Sequence, residues 1–192
     1  MLFSELLLVL AAAIPAGDDQ ALAESIRNGD RSAFRKFFEA WHKPLLRYLL
    51  HRRVPPDVAE DLVQNAFVHI WENRGKIRTD GSLKGLLFRI GYTRALNHFR
   101  DTARFEGELD EQALGVPAPD VDPAEQRDVR DRVREAVDAL PERRRAVFEL
   151  CVLEGLSYAE AAEALEISRK TVENHMGYAL KAVRERLSGL RP

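Results

Sequence analysis

Leu156-Ser157-Tyr158-Ala159-Glu160-Ala161-Ala162-Glu163-Ala164-Leu165-Glu166-Ile167-Ser168-Arg169-Lys170-Thr171-Val172-Glu173-Asn174-His175 is the stretch on which the reading of this chain turns. Ser157 with Glu160 three residues later is a capping box and opens a short helix. Ser168 caps a second helix after the three-residue turn Glu166 to Ser168. Small Ala161 and Ala162 permit a close helix crossing, while Leu165, Ile167, Val172 and Met176 supply a shared core. A short capped helix, a three-residue turn and a second capped helix that runs to about Leu187 predict a helix-turn-helix, whose second helix enters the major groove and presents its first residues to base edges. Arg169, Lys170, Glu173, Asn174 and His175 hold the presenting positions. Lysine and arginine address guanine or phosphate, asparagine pairs with adenine, and glutamate accepts from cytosine. The rival reading is an αα-hairpin that only packs. Double capping and a polar leading face weigh against it. The motif points to DNA binding and leaves the kind of regulator open.

Upstream, Leu140-Pro141 starts another helix, with proline at its favoured first position and Gly155 as its C-terminal stop. Before it, Val129, Val133, Ala136 and Val137 recur at helical spacing from about Ala124. Residues 101–125 carry Gly107, Gly115, Pro117, Pro119 and Pro123 among eight acids and a single base, Arg104. That composition reads as a flexible acidic linker.

The first half is also helical in pattern. Leu22 and Ile26 are four apart; Phe34, Phe37, Phe38, Trp41, Leu45, Leu46, Leu49 and Leu50 follow a 3.6-residue period, with Asn28-Gly29-Asp30 as a break. Pro55-Pro56-Asp57 stops and restarts the chain, with Asp57 as the expected cap and Glu60 completing its box. Val58, Leu62, Ala66 and Ile70 then form a stripe that Val63, Phe67 and Trp71 widen. After a polar loop, Leu83 to Arg100 is helical with Leu83, Leu86, Leu87, Ile90 and Leu96 inward. No strand-like alternation occurs. The expectation is an all-α protein of two helical domains, residues 18–100 and 126–192, joined by the linker 101–125.

Charge follows the same division. Residues 26–100 hold 15 basic and 7 acidic side chains, whereas the linker is strongly negative. A basic domain beside an acidic connector suggests polyanion binding. One cysteine, Cys151, excludes an internal disulfide and any multi-cysteine zinc site, and an inert core position is its expected role. The five histidines, His42, His51, His69, His98 and His175, lack ligand spacing. No phosphate-cradling glycine loop, nucleophile elbow or paired-carboxylate site is present. The expectation is a non-enzyme without metal or cofactor. The apolar run Leu2 to Ile14 lacks the positive leader of a signal peptide and is too short to span a bilayer. Residues 1–17 are therefore read as a dispensable extension or misassigned start without stable membrane insertion, with a packing helix and a membrane-targeting segment as the alternatives.

Three segments in one order carry a resemblance to the extracytoplasmic-function group of the sigma-70 superfamily, from about Leu22 to Leu187. Asp57-Val58-Ala59-Glu60-Asp61-Leu62-Val63-Gln64-Asn65-Ala66-Phe67-Val68-His69-Ile70-Trp71 resembles the family's helix that docks on the polymerase clamp. Ser82 to Arg100 resembles its −10 reading segment, and Leu140-Pro141-Glu142-Arg143 with the helix-turn-helix resembles its −35 reading domain. The resemblance implies a cytoplasmic sigma factor that binds core RNA polymerase, through the clamp of β′ and the flap of β, and promoter DNA, and that is held by an anti-sigma factor. It implies core-polymerase contacts at Asp61, Gln64, Asn65, Phe67 and Trp71. The −10 contacts would be Arg78, Ser82, Arg89, Thr93, Arg94, Asn97 and Arg100. The −35 contacts would be Ser168, Arg169, Lys170, Thr171, Glu173, Asn174, His175, Tyr178 and Lys181. The linker would thread toward the polymerase active-site and RNA-exit channels; its composition alone predicts a disordered tether. Thr93 stands where relatives often carry asparagine, Leu86 where they frequently carry tryptophan, and Glu166 where the turn usually has glycine. A left-handed backbone at Glu166 would cost about 1 kcal/mol.

Overall fold

The computed structural model describes residues 18–106 and 132–188, and within them all regular structure is helical. The helices are α1 Asp18–Arg27, α2 Arg31–His51, α3 Pro56–Glu72, a 3-10 turn Arg74–Lys76, α4 Leu83–Glu106, α5 at 132–138, α6 Glu142–Phe148, α7 Tyr158–Leu165 and α8 Arg169–Ser188. Two compact units result, one built on α1 to α4 and the other on α5, α6, α8 and most of α7. None of the described helices is long and apolar enough to cross a membrane. The expected extension 1–17 lies outside the described residues.

In the first unit, Gly29 takes φ +87° and lets the chain turn between α1 and α2. Asp30 then caps α2, accepting from the Ser32 and Ala33 amides at 2.7 and 3.1 Å. The core is aromatic: Phe37, Tyr48 and Phe88 are fully buried, with Leu45, Leu49, Ile70, Leu83 and Leu87 around them. Burying each such side chain contributes about 1.5–3 kcal/mol. Gly91 lets α4 press against α2, since a Cβ built there would lie 2.7 Å from Leu45 Cδ1.

Three local expectations need correction. Asp57 does not cap α3: the helix starts at Pro56, with Pro55 before it and no side-chain cap. Proline's fixed φ and missing N–H suit a helix start, so the prolines set the boundary and Asp57 falls in the first turn, where its charge favours the helix dipole. Helix α4 also runs on to Glu106, six residues into the expected linker. Acidic residues do not break a helix as glycine does, and the first glycine after Arg100 is Gly107. The rest of the linker, 107–125, lies outside the described residues. Finally, Leu96 is not inward but 42% exposed, whereas Phe88, absent from the expected inward set, is fully buried.

The second unit buries Val137, Leu140, Val147, Phe148 and Leu150 together with Val172, Met176, Ala179 and Val183 of α8, and α6 packs against α8. Helix α6 widens into a π-helical turn over Glu149–Leu153, where Cys151 is half-buried. Gly155 ends it at φ +65°. Burial and, second, the nearby Cys151 push the Tyr158 phenol above its ordinary value, so it stays neutral at any working pH.

Candidate nucleic-acid interface

The helix-turn-helix forms as its caps require. Ser157 N donates to Glu160 Oε2 at 2.6 Å, and Glu160 N donates to Ser157 Oγ at 3.3 Å. These bonds satisfy amides that the first turn of α7 leaves without helical acceptors. Helix α7 ends with Ile167 N donating to Ala162 O at 3.1 Å, across a left-handed Glu166 with φ 54°. Glutamate thus adopts the conformation for which glycine is the usual solution. Ser168 Oγ accepts from Thr171 N at 3.0 Å and lies 2.8 Å from Thr171 Oγ1. Both hydroxyls serve the start of α8. Of the expected core set, Val172 and Met176 are buried, whereas Leu165 and Ile167 are only half-buried.

Helix α8 buries Val172, Met176, Ala179 and Val183 and turns Thr171, Asn174, Tyr178 and Lys181 to another face at spacings of three and four. Asn174 and Tyr178 are exposed and His175 is half-buried. The cations are matched by acids of the same helix: Glu173 lies 3.5 Å from Arg169 and 3.4 Å from Lys170, and Lys181 lies 3.9 Å from Glu185. Beside this helix, the Arg144 guanidinium of α6 stands 4.8 Å over the Tyr178 ring. Arg144 was absent from the expected site because 34 positions separate it from Tyr178. Toward the other end of α8, Ala136, Ala139, Leu140, Pro141, Ala182, Glu185 and Arg186 line a groove of about 330 Å³. Ala182 is about 20 Å along the helix from Arg169.

In the first unit, α4 places Thr93, Asn97 and Arg100 on one exposed stripe, with half-buried Arg89 and Arg94 at its sides. Arg100 faces Asp101 at 3.9 Å. Exposed Leu96 joins this stripe, an apolar surface among polar groups. In the preceding loop, Arg78 Nε and Nη2 donate to Asp80 at 3.0 and 2.9 Å. Ser82 accepts from Gly85 N at 3.1 Å and donates to Asp19 Oδ2 at 2.9 Å. Its hydroxyl therefore starts α4 and ties it to α1.

Helix α3 exposes Asp61, Gln64 and Asn65. Val68, 52% exposed and one turn on, extends the same stripe; sequence reading passed over it. Phe67 is 3% exposed, its ring 5.5 Å from Phe37 and 4.9 Å from Phe38. Its expected docking position is corrected: the ring belongs to the core because α2 covers that side of α3. Trp71 is half-buried, with its ring 4.9 Å from Phe34 and Arg74 4.6 Å over it.

Comparison with known proteins fits this geometry. Residues 37–105 match the model of Sigma-70 region 2, and residues 130–183 match that of Sigma-70, region 4. The chain is 30% identical over 176 residues to the ECF RNA polymerase sigma factor SigK of Mycobacterium ulcerans, covering 87% of this chain and 92% of that protein. It is 26% identical to the RNA polymerase sigma-H factor of Pseudomonas aeruginosa, covering 90% of this chain and 95% of that protein. Among solved structures, CnrH in complex with the cytosolic domain of CnrY matches with a TM-score of 0.63 at 26% identity, over 90% of this chain and 99% of that one. The sigma factor RpoE of Bartonella quintana, solved with the anti-sigma factor NepR, shares the fold with a TM-score of 0.64 at 22% identity, over 82% and 98%.

Proposed function

The chain belongs to the extracytoplasmic-function sigma factors of the sigma-70 family, and from that premise we propose that its two units read the two elements of one promoter while core polymerase holds both. It is an RNA polymerase sigma factor directing promoter-specific transcription initiation. The assignment of residues to these tasks is our own.

The exposed stripe of α3, Asp61, Gln64 and Asn65 with Val68, docks on the clamp of β′, and Trp71 flanks it. Phe67 supports that helix from within. The stripe of α4, Thr93, Asn97 and Arg100 with Arg89 and Arg94, holds the melted −10 strand: polar groups meet bases and cations follow the backbone. Arg78 joins them from the loop, which Ser82 anchors. In the second unit α8 enters the −35 major groove. Arg169, Lys170, Glu173, Asn174 and His175 face base edges or phosphates, and Tyr178 and Lys181 continue that surface. Ser168 and Thr171 fix its leading turn. The groove at Ala182 is the seat for the flap of β, because it joins small apolar side chains to Glu185 and Arg186 and lies about 20 Å from the DNA-reading end.

The factor acts in the cytoplasm without catalysis, cofactor or stable membrane insertion, and an anti-sigma factor restrains it. The observation that carries this reading is the pair of polar stripes, on α4 and α8, within the two matched family regions of one chain. Reconstituted transcription with core polymerase on a promoter library tests it. Initiation should depend on two sequence elements at fixed spacing. A protein that does not associate with core polymerase, or associates without initiating, refutes it.

A further inference from the structure

We infer that Arg144 is a phosphate contact of the second unit and that Tyr178 is the positioning residue that holds it for DNA; the inference rests on the assignment of α8 to the −35 element. Tyr178 is 58% exposed, so its ring is not a core side chain. It shares the face of Thr171, Asn174 and Lys181. The Arg144 guanidinium lies 4.8 Å from the ring centroid. A guanidinium held by an aromatic face keeps its in-plane N–H donors for another acceptor, and a phosphate accepts two at once.

The neighbouring cations are differently placed. Arg145 is 15% exposed and engaged by Asp138 and Glu142 at 3.8 and 3.4 Å, a structural role. Arg169 and Lys170 share Glu173, and Lys181 faces Glu185. Arg144 makes no ion pair among the described residues, so no carboxylate must be displaced before it meets a phosphate. An exposed cation–π contact is weak, yet it spares a long side chain part of the ordering cost at binding.

The test uses the full chain with core polymerase on a promoter duplex, titrated with salt. Arg144→Ala should lower the magnitude of the log-affinity against log-salt slope by about 0.9 and weaken binding roughly threefold at low salt, equally for all −35 sequences. Arg144→Lys should keep the slope. Tyr178→Phe retains the ring and should keep the salt slope, whereas Tyr178→Ala should lose part of the slope that Arg144→Ala loses. The double variant Arg144→Ala with Tyr178→Ala should have the same salt slope as Arg144→Ala alone. Additive losses of slope, or an unchanged slope in Arg144→Ala, overturn the inference. Asn174→Ala separates it from its premise. If that change alters −35 preference while Arg144→Ala leaves the slope intact, only this inference fails; if preference is unmoved, the assignment of α8 fails and this falls with it.

Discussion

Arg78 and Asp80 clasp each other across one residue, with Nε and Nη2 meeting the two carboxylate oxygens at 3.0 and 2.9 Å. Both side chains are otherwise open to solvent, 77% and 72% exposed. The Arg78 hydrogen bonds, and then its charge, hold the Asp80 carboxyl below its ordinary value of 3.8, and Asp80 raises Arg78 in return. A carboxyl lowered in this way contributes its stabilisation above the ordinary value and loses it as pH falls through the lower folded one. Both groups therefore carry their charges throughout the neutral range.

Asp80→Asn releases Arg78 for the −10 strand. Holoenzyme carrying it should bind a single-stranded −10 oligonucleotide about threefold more tightly, the gain of one phosphate contact. The same ratio is expected at pH 6 and pH 8. Weaker binding, or a ratio that changes between those values, would contradict the role given to Arg78.

Asn97→Ala removes a side chain of the α4 stripe assigned to the melted strand. Open-complex formation should fall about tenfold, consistent with 1–3 kcal/mol for a base contact, while binding to unmelted duplex stays near the parent. Permanganate footprinting beside a duplex binding assay separates the two. Equal loss in both counts against a strand-specific contact.

Ser157→Ala breaks one arm of the capping box at the start of α7. The expected cost is about 1 kcal/mol in chemical denaturation, with a matching loss of −35 binding if α8 shifts with its partner helix. Unchanged stability would mean that the hydroxyl bond contributes nothing.

Gly91→Ala sets a methyl 2.7 Å from Leu45 Cδ1. Leu45 is fully buried, so the strain should destabilise the first unit by about 1–3 kcal/mol. Combining it with Leu45→Ala tests the mechanism: the double variant should lose less than the two single losses added together. Strict additivity would place the cost elsewhere.

Glu166→Gly removes the side chain from a left-handed residue at φ 54°. Relief of that strain should exceed glycine's added freedom in the unfolded chain and stabilise by up to about 1 kcal/mol. A higher denaturation midpoint checks it; a lower one would show that the glutamate side chain contributes more than the strain costs.

The features legible in the sequence are those made by near neighbours. The caps at Ser157 and Ser168, the glycine stops at Gly29 and Gly155 and the left-handed turn at Glu166 all depend on a few consecutive residues. Phe67 and Val68 show where such reading ends. They are adjacent, both apolar, and point about 100° apart on one helix. The larger reads both as part of the apolar stripe and as a docking side chain and is buried, while the smaller was passed over and is exposed. Only the covering rings of α2 decide between them. Leu96 was misplaced for the same reason. The Ser82 bond to Asp19 and the Arg144 contact with Tyr178 join distant positions, and no local pattern encodes either. The residues assigned to polymerase and to the −10 strand came from family likeness, and the leading residues of α8 from the helix-turn-helix pattern as well; the structure adds which of them face solvent.

Glu173 sits between Arg169 and Lys170, so on the proposed assignment the leading turn of α8 would meet DNA with much of its charge already answered from within. A reading head of that kind lingers little on random sequence, where only the phosphates attract it. It stays where bases draw the three side chains apart and give each a partner of its own. Among roughly 10⁶–10⁹ competing genomic positions, brief visits to the wrong ones shorten the hunt for the right one.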